Sequence, residues 1–317
     1  MCTAIHLGNC FGRNLDLEYG YDQQVVILPR GKALEFRHAA ALPCHYAIVG
    51  MAVVDNDYPL FIDAMNEMGL AIAGLDFPRN AYYPSVQEGR ENIAPFELIP
   101  WILGQCACVA EAKALLGTVI LADICYSEAF SQAPLHWIIA DALETIVIEP
   151  MKDGLRIYDN PVGVLTNNPP FPYHLDHLAG YQHLTPGDQK CKLGSIHFAP
   201  YGGGMGAIGL PGDFSSPSRF VKAAFVKLHA HTAKDETTEF FHLLDCVAMP
   251  RGAIRVGDGQ DEITRYSCCC HLTEGVYYFT TYENRRIQAV RLHREDLSGH
   301  KIQCYPLDMH QDIANRN

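Results

Sequence analysis

Residues 2–7 alternate loosely between apolar and polar, Gly8-Asn9 interrupts, and residues 10–15 resume the apolar run. A period of two marks a strand with one buried face. Glycine at the first position of a two-residue loop supplies the positive φ of a type II′ turn. The chain therefore opens on an antiparallel hairpin. Further strands are predicted at 24–29, 46–54, 70–75, 135–140, 145–149, 155–158, 163–166, 264–272, 275–282 and 287–292. Helices are predicted at 94–105, 109–116, 218–229 and 236–247; the second is rich in good helix formers, and the last two carry apolar residues at i, i+3, i+4. Hairpins dominate and strands do not alternate regularly with helices, so the expected fold is α+β, with antiparallel sheets and helices packed outside them.

No linker, charge run or repeat divides residues 1–317, which read as one domain. With 48% hydrophobic and 19% charged residues the chain can bury a sizeable core. A formal net charge of -12 without a Lys/Arg cluster argues against nucleic acid and against an anionic membrane surface. An anionic small molecule held by one or two buried arginines stays compatible. The start lacks a basic and then apolar leader, and no stretch approaches the roughly 20 apolar residues of a membrane span, so a cytoplasmic protein is expected. The 12 cysteines are scattered (Cys44, Cys125, Cys191, Cys246, Cys304) or adjacent (Cys268-Cys269-Cys270), unlike a disulfide framework.

Cys2 carries the most chemical information. Removal of Met1, favoured by a small second residue, would leave a thiol and a free α-amine on one residue. With reference pKa values of roughly 8.5 and 7.7–8.0, the neutral amine can take the thiol proton near neutral pH. If Gly8-Asn9 is a two-residue turn, Leu7 faces Cys10, Ala4 faces Arg13 and Cys2 faces Leu15. Arg13 then shares a face with Cys2, one diagonal step away, where a guanidinium favours thiolate. Asp16 falls opposite the chain start, where its carboxylate would orient the amine. The plainer alternative is a surface Arg and Asp at a hairpin edge.

These residues, Met1-Cys2-Thr3 and Phe11-Gly12-Arg13-Asn14-Leu15-Asp16, resemble the choloylglycine hydrolase family of bile salt hydrolases and penicillin V acylases. The likeness runs on through Met65-Asn66-Glu67-Met68-Gly69-Leu70, Ala73-Gly74-Leu75-Asp76-Phe77-Pro78, Gly163 to Pro169, Gly209 to Phe214 and Ser218-Arg219-Phe220. The resemblance implies a four-layer αββα sandwich of the N-terminal nucleophile hydrolases, assembled as a homotetramer; no cofactor or metal is expected. It implies Cys2 as nucleophile, Arg13 and Asp16 as residues that tune and orient it, Asn167 as oxyanion donor, and Arg219 as support around Cys2. One position departs: bile salt hydrolases carry asparagine where this chain has Asp76. An ionised carboxylate only accepts hydrogen bonds. Either the backbone N–H there suffices, or Asp76 is protonated, or activity and substrate choice are altered.

The sequence around Leu135-His136-Trp137 and Asp57-Tyr58-Pro59 is more similar to the bile salt hydrolases, whose substrate is a conjugated bile salt. Leu15, Leu60, Phe61, Phe77 and Leu135 are candidate lining for a steroid pocket, or equally core. Residues 204–209 fit GxGxxG, but Leu210-Pro211-Gly212 follows where a dinucleotide site needs a helix. His174 and His177, at i, i+3 on a short amphipathic helix, read as surface or interface residues, without further zinc-like spacing. Other readings kept in play are hydrolysis of another amide such as penicillin V, acyl transfer to amino acids, and a silent binding protein damaged at Asp76.

Overall fold

Gly8, at φ +58°, closes the first hairpin, β1 (Cys2–Leu7) against β2 (Cys10–Leu17). Its register is the expected one: Leu7 faces Cys10, Ala4 faces Arg13 and Cys2 faces Leu15. The computed structural model describes residues 1–128, 130, 132–187, 192–231, 235–257 and 259–317, and Cys191 lies outside them. The hairpin is the centre of a six-stranded sheet ordered β12 (Val164–Leu165), β1, β2, β17 (Ile263–His271), β18 (Val276–Thr281), β19 (Gln288–Arg291). Gly12 is required here: a Cβ on it would lie 1.9 Å from the Cys268 carbonyl oxygen. Its absence lets β17 lie close, which sets Arg13 opposite Cys268.

A second, eight-stranded sheet runs β11 (Gly154–Asp159), β10 (Thr145–Met151), β9 (Leu135–Ala140), β6 (Ala71–Asp76), β5 (Tyr58–Asn66), β4 (Ile48–Asp55), β3 (Gln24–Leu28), β20 (Gln303–Pro306). Neighbours in both sheets are antiparallel. Three two-stranded ribbons complete the strands among the described residues: β7 (Glu91–Ile93) with β8 (Val119–Leu121), β13 (Lys192–Leu193) with β14 (Ile196–His197), and β15 (Arg255–Val256) with β16 (Gln260–Asp261).

Strand β5 is absent from the sequence reading because Pro59 and the polar Asp63 and Asn66 break its apolar pattern. The structure accommodates both features. β5 meets β6 only from Asp63 to Met65, so Pro59 sits where one side of the strand has no partner and needs no N–H. Asp63 and Asn66 are buried and hydrogen-bonded.

Among the described residues five helices flank the sheets: α1 (Leu98–Gln105), α2 (Val109–Leu116), α3 (Phe171–Ala179), α4 (Ser216–His229) and α5 (Glu236–Asp245). Alternation along β6 divides the core. Ala71, Ala73 and Leu75 pack into the space between the sheets, and Ile72 turns outward against Trp101 and Ile102 of α1. On the far side, Phe171, Phe220 and Phe240 of α3, α4 and α5 cover the six-stranded sheet. The layers are helices, sheet, sheet, helices, the four-layer α+β sandwich. Full burial of side chains such as Ile72 contributes roughly 1.5–3 kcal/mol each. Residues 204–209 form a single 3-10 turn, Met205–Ala207, and lead into no helix. The described cysteines are free thiols, and no described helix is long and apolar enough to cross a membrane.

Candidate active site

Cys2 begins β1 and is 2% exposed, with Met1 still attached. Its N–H donates to Asn167 Oδ1 at 2.8 Å. Met1 extends the ladder one step: Asp16 N–H donates to the Met1 carbonyl at 3.0 Å, and the Met1 ammonium donates to the Asp16 carbonyl at 2.7 Å. The same ammonium forms an ion pair with Glu262. Asp16 thus meets the chain start through its main chain. Its buried carboxylate turns instead to Thr264, whose hydroxyl donates to Oδ1 at 2.6 Å, and Oδ2 has no partner among the described residues. Burial pushes the Asp16 carboxyl up, against the pull of Arg219 and Thr264.

Two buried arginines converge on Cys2 from different sides. Arg219, on the first turn of α4, donates through Nη1 to the Cys2 carbonyl and to Thr3 Oγ1, both at 2.6 Å. Its Nη2 reaches Asn167 Oδ1 at 2.8 Å and its Nε the Phe214 carbonyl at 2.9 Å. The turn that delivers it is tied by Asp213, which accepts from Ser215 N–H at 2.9 Å and Ser218 Oγ at 2.7 Å. Those serines lower the Asp213 carboxyl to about 2.

Arg13 donates to the Gly74 carbonyl across the sheets, and its Nη2 has no partner among the described residues. Burial opposes its charge, but anionic Cys2, then Tyr266 and Asp63, outweigh burial and raise its pKa. Cys2 is its largest favourable electrostatic partner. Asp63 takes hydrogen bonds from Tyr266 and Tyr277, both 2.5 Å, and from Cys268 at 3.4 Å. It is a countercharge between the sheets that nothing in the sequence pattern signals.

The amide of Asn167 has a fixed orientation, because two donors, Cys2 N–H and Arg219 Nη2, face one of its atoms. That atom is the oxygen. The nitrogen donates to the Asp76 carbonyl at 2.7 Å, leaving its second hydrogen free. The Asp76 backbone is itself turned toward the same space. Phe77 N–H bonds the Pro134 carbonyl at 2.7 Å, and Leu135 N–H turns away to Tyr83 Oη at 2.9 Å. Asp76 and Leu135 are therefore a non-hydrogen-bonded pair of the antiparallel ladder. Since β6 outruns β5 after Ala73, Asp76 N–H and C=O face the gap. Asn167 takes the C=O, and the N–H is left without a ladder partner. The half-buried Asp76 side chain is held up by burial, against the pull of the chain-terminal ammonium and His136.

Behind this gap two histidines grip the segment that carries Asn167. His136 Nε2 bonds the Thr166 carbonyl at 2.8 Å, and His174 Nε2 bonds the Asn167 carbonyl at 2.9 Å. Phe77 stacks on His136 with ring centres 4.2 Å apart, and Glu149 meets His136 Nδ1 at 3.2 Å. Burial lowers His174 to about 4, so it is neutral in the folded state. The unfolded chain takes up that proton near pH 6.5 and the folded chain only near 4. The stabilisation is complete above pH 6.5 and is lost as pH falls through 4, by roughly 3 kcal/mol. Urea midpoints from pH 7 to 4 are expected to fall less steeply for His174→Gln than for the wild type; equal slopes would remove His174 from the account.

Of the candidate pocket residues, Leu15 faces Cys2 across the hairpin, and Leu60 and Leu135 are half-buried. Phe77 is fully buried behind the site, and Phe61 packs in the core under α1, on the other side of the eight-stranded sheet. The structure thus gathers Cys2, Arg13, Asp16, Asn167, Arg219 and Asp76, and disperses the apolar set. It adds Glu262, Asp63, His136 and His174, buried polar residues, the first two with partners far away in the chain.

The four-layer sandwich with a cysteine at the head of a central strand is that of the N-terminal nucleophile hydrolases. Residues 2–310 match the family of linear amide C–N hydrolases called the choloylglycine hydrolase family, and the chain belongs to it. It is 46% identical over 314 residues to the bile salt hydrolase/transferase of Lactiplantibacillus plantarum, covering 97% of each chain. The bile salt hydrolase/transferase of Clostridium perfringens is 38% identical over 330 residues, covering 100% of each. A crystal structure of a variant of the C. perfringens conjugated bile acid hydrolase superposes with a TM-score of 0.93 at 36% identity, covering 100% of both chains. Penicillin V acylase from Agrobacterium tumefaciens shares the fold, with a TM-score of 0.75 at 19% identity over 96% of this chain and 90% of that one.

Proposed function

We propose that this amidase hydrolyses glycine- or taurine-conjugated bile salts, with Cys2 as nucleophile once Met1 is removed. The observation that carries the reading is the shared grip of Asn167 Oδ1 and Arg219 on Cys2. Cys2 N is already held at 2.8 Å, so excision converts a fixed amide nitrogen into a fixed α-amine. That amine takes the thiol proton, and the thiolate, beside Arg13, attacks the amide carbonyl. The oxyanion accepts from the free hydrogen of Asn167 Nδ2 and from Asp76 N–H. The backbone of residue 76 makes this donation, so an aspartate there is compatible with turnover. Collapse expels the amine, which takes the proton from the α-amine, and water attacks the thioester. The substrate class rests on the full-length likeness to proteins named for bile salts. It is tested by assaying glycine and taurine released from conjugated bile salts by protein shown by mass to lack Met1; no release sinks the bile salt reading.

A homotetramer is proposed alongside it. Leu175, Leu178, Val221, Phe225 and Leu228 line an apolar groove of about 380 Å³ along α3 and α4. Nearby in sequence, Leu193, Ile196, Phe198 and Tyr201 are more than half exposed, Tyr201 at 85%. Such apolar surface is covered in a stable assembly. Light scattering is expected to give four times 35.2 kDa, and a smaller particle for Phe198→Asp/Tyr201→Asp; a wild-type monomer contradicts it.

A further inference from the structure

The Met1 ammonium occupies a built seat. Glu262, only 3% exposed beneath it, supplies the carboxylate, and the Asp16 carbonyl supplies a second acceptor at 2.7 Å. Removing Met1 empties that seat and uncovers Glu262. Cys2 N does not follow into it, because Asn167 Oδ1 and Arg219 hold Cys2 in place. A buried carboxylate that loses its cation is costly, and here it is not alone. Asp16 Oδ2 is buried beside it without a partner among the described residues. Asp76 lies within electrostatic reach of the Met1 ammonium and of Glu262. Arg219 also feels Glu262 and Asp16, but its N–H groups are committed to Cys2, Thr3, Asn167 and Phe214.

We propose that the vacated seat is a subsite for a primary amine, formed by Glu262 and the Asp16 carbonyl with Asp76 at its rim. It receives the amine leaving as the acyl-enzyme forms, and it seats an amine that attacks the thioester in place of water. In that transfer the amine nitrogen bonds the acyl carbon and the C–S bond breaks. The thiolate leaves, and the amine's proton passes to the Cys2 α-amine. The inference rests on the proposed Cys2 acyl-enzyme and specifies its amine side. With the carboxyl groups of Glu262, Asp16 and Asp76 around the seat, cationic and neutral amines are preferred to those bearing an anionic group. The tail of a glycine or taurine conjugate must then point out to solvent, past Asp76.

The test uses Met1-free full-length protein with a glycine-conjugated bile salt as acyl donor. 1,2-Diaminoethane, 2-aminoethanol and taurine are compared at equal concentrations of unprotonated amine and low salt, and new amides are counted against free bile acid by mass spectrometry. The expected order is diaminoethane, aminoethanol, taurine, with about tenfold or more between the ends. Glu262→Gln is expected to compress the range several-fold, and Asp76→Asn to raise the taurine share. Taurine equal to or ahead of diaminoethane overturns the proposal, as does an undiminished range in folded Glu262→Gln together with an unchanged taurine share in folded Asp76→Asn. If Glu262→Gln does not fold, the wild-type order and Asp76→Asn decide. Release of free bile acid with the wrong order refutes the subsite alone. No release at all refutes the bile salt reading, and the subsite with it.

Discussion

Cys2→Ala is expected to abolish amide hydrolysis while leaving the fold intact. In the proposed mechanism the lost sulfur is the nucleophile, and the thiols of Cys268, Cys269 and Cys270 are buried in β17. The structural contacts of Cys2 run through its backbone, N–H to Asn167 and C=O to Arg219, and alanine keeps both. Removing a catalytic nucleophile costs on the order of 10⁶ in kcat where it has been measured. Amine release by Cys2→Ala should therefore fall below detection, with the thermal midpoint within a few degrees of the wild type. Residual activity above about one part in a hundred would move the nucleophile elsewhere. Protein that retains Met1 is expected to be equally silent, because its Cys2 nitrogen is an amide and accepts no proton.

Asn167→Asp separates two duties of one side chain. The aspartate retains an acceptor for the Cys2 amine and for Arg219 Nη2, but it has no hydrogen to give the oxyanion or the Asp76 carbonyl. Loss of a single oxyanion donor costs roughly 10²–10³ in kcat, about 2.7–4 kcal/mol. The expected result is a fall of that size in kcat, with Cys2 still alkylated by iodoacetamide at near the wild-type rate. Asn167→Ala should lose both properties. A kcat for Asn167→Asp within threefold of the wild type would take Asn167 out of the oxyanion site.

The hairpin could be read to the residue, because Gly8-Asn9 fixes the loop length and loop length fixes the register. That alone placed Arg13 beside Cys2. The role of Asp16 was half legible: the ladder sets it opposite the chain start, but the turn of its carboxylate toward Thr264 depends on a strand about 250 residues away. Asn167 and Arg219 were reachable only through the family resemblance, since no local pattern joins β1, β12 and α4. Glu262, Asp63 and His174 look like surface residues in sequence, and only the packing around them makes them buried. Strand β5 was hidden by its proline and its buried aspartate. Asp76 shows the limit most clearly. Its side chain raises the question, and the proposed answer lies in its backbone, where β6 outruns β5.

Arg219 ties Cys2, Thr3 and Asn167 together from the first turn of α4, so the site closes only when that helix docks on the six-stranded sheet. The sheets have their own large shared core and need no such clasp. In rising denaturant, local opening of the helix layer would silence the enzyme while most of its β-structure persists. Catalytic activity is thus a gauge of the last docking step, and a misfolded or split chain would keep its sheet signal and yield no product.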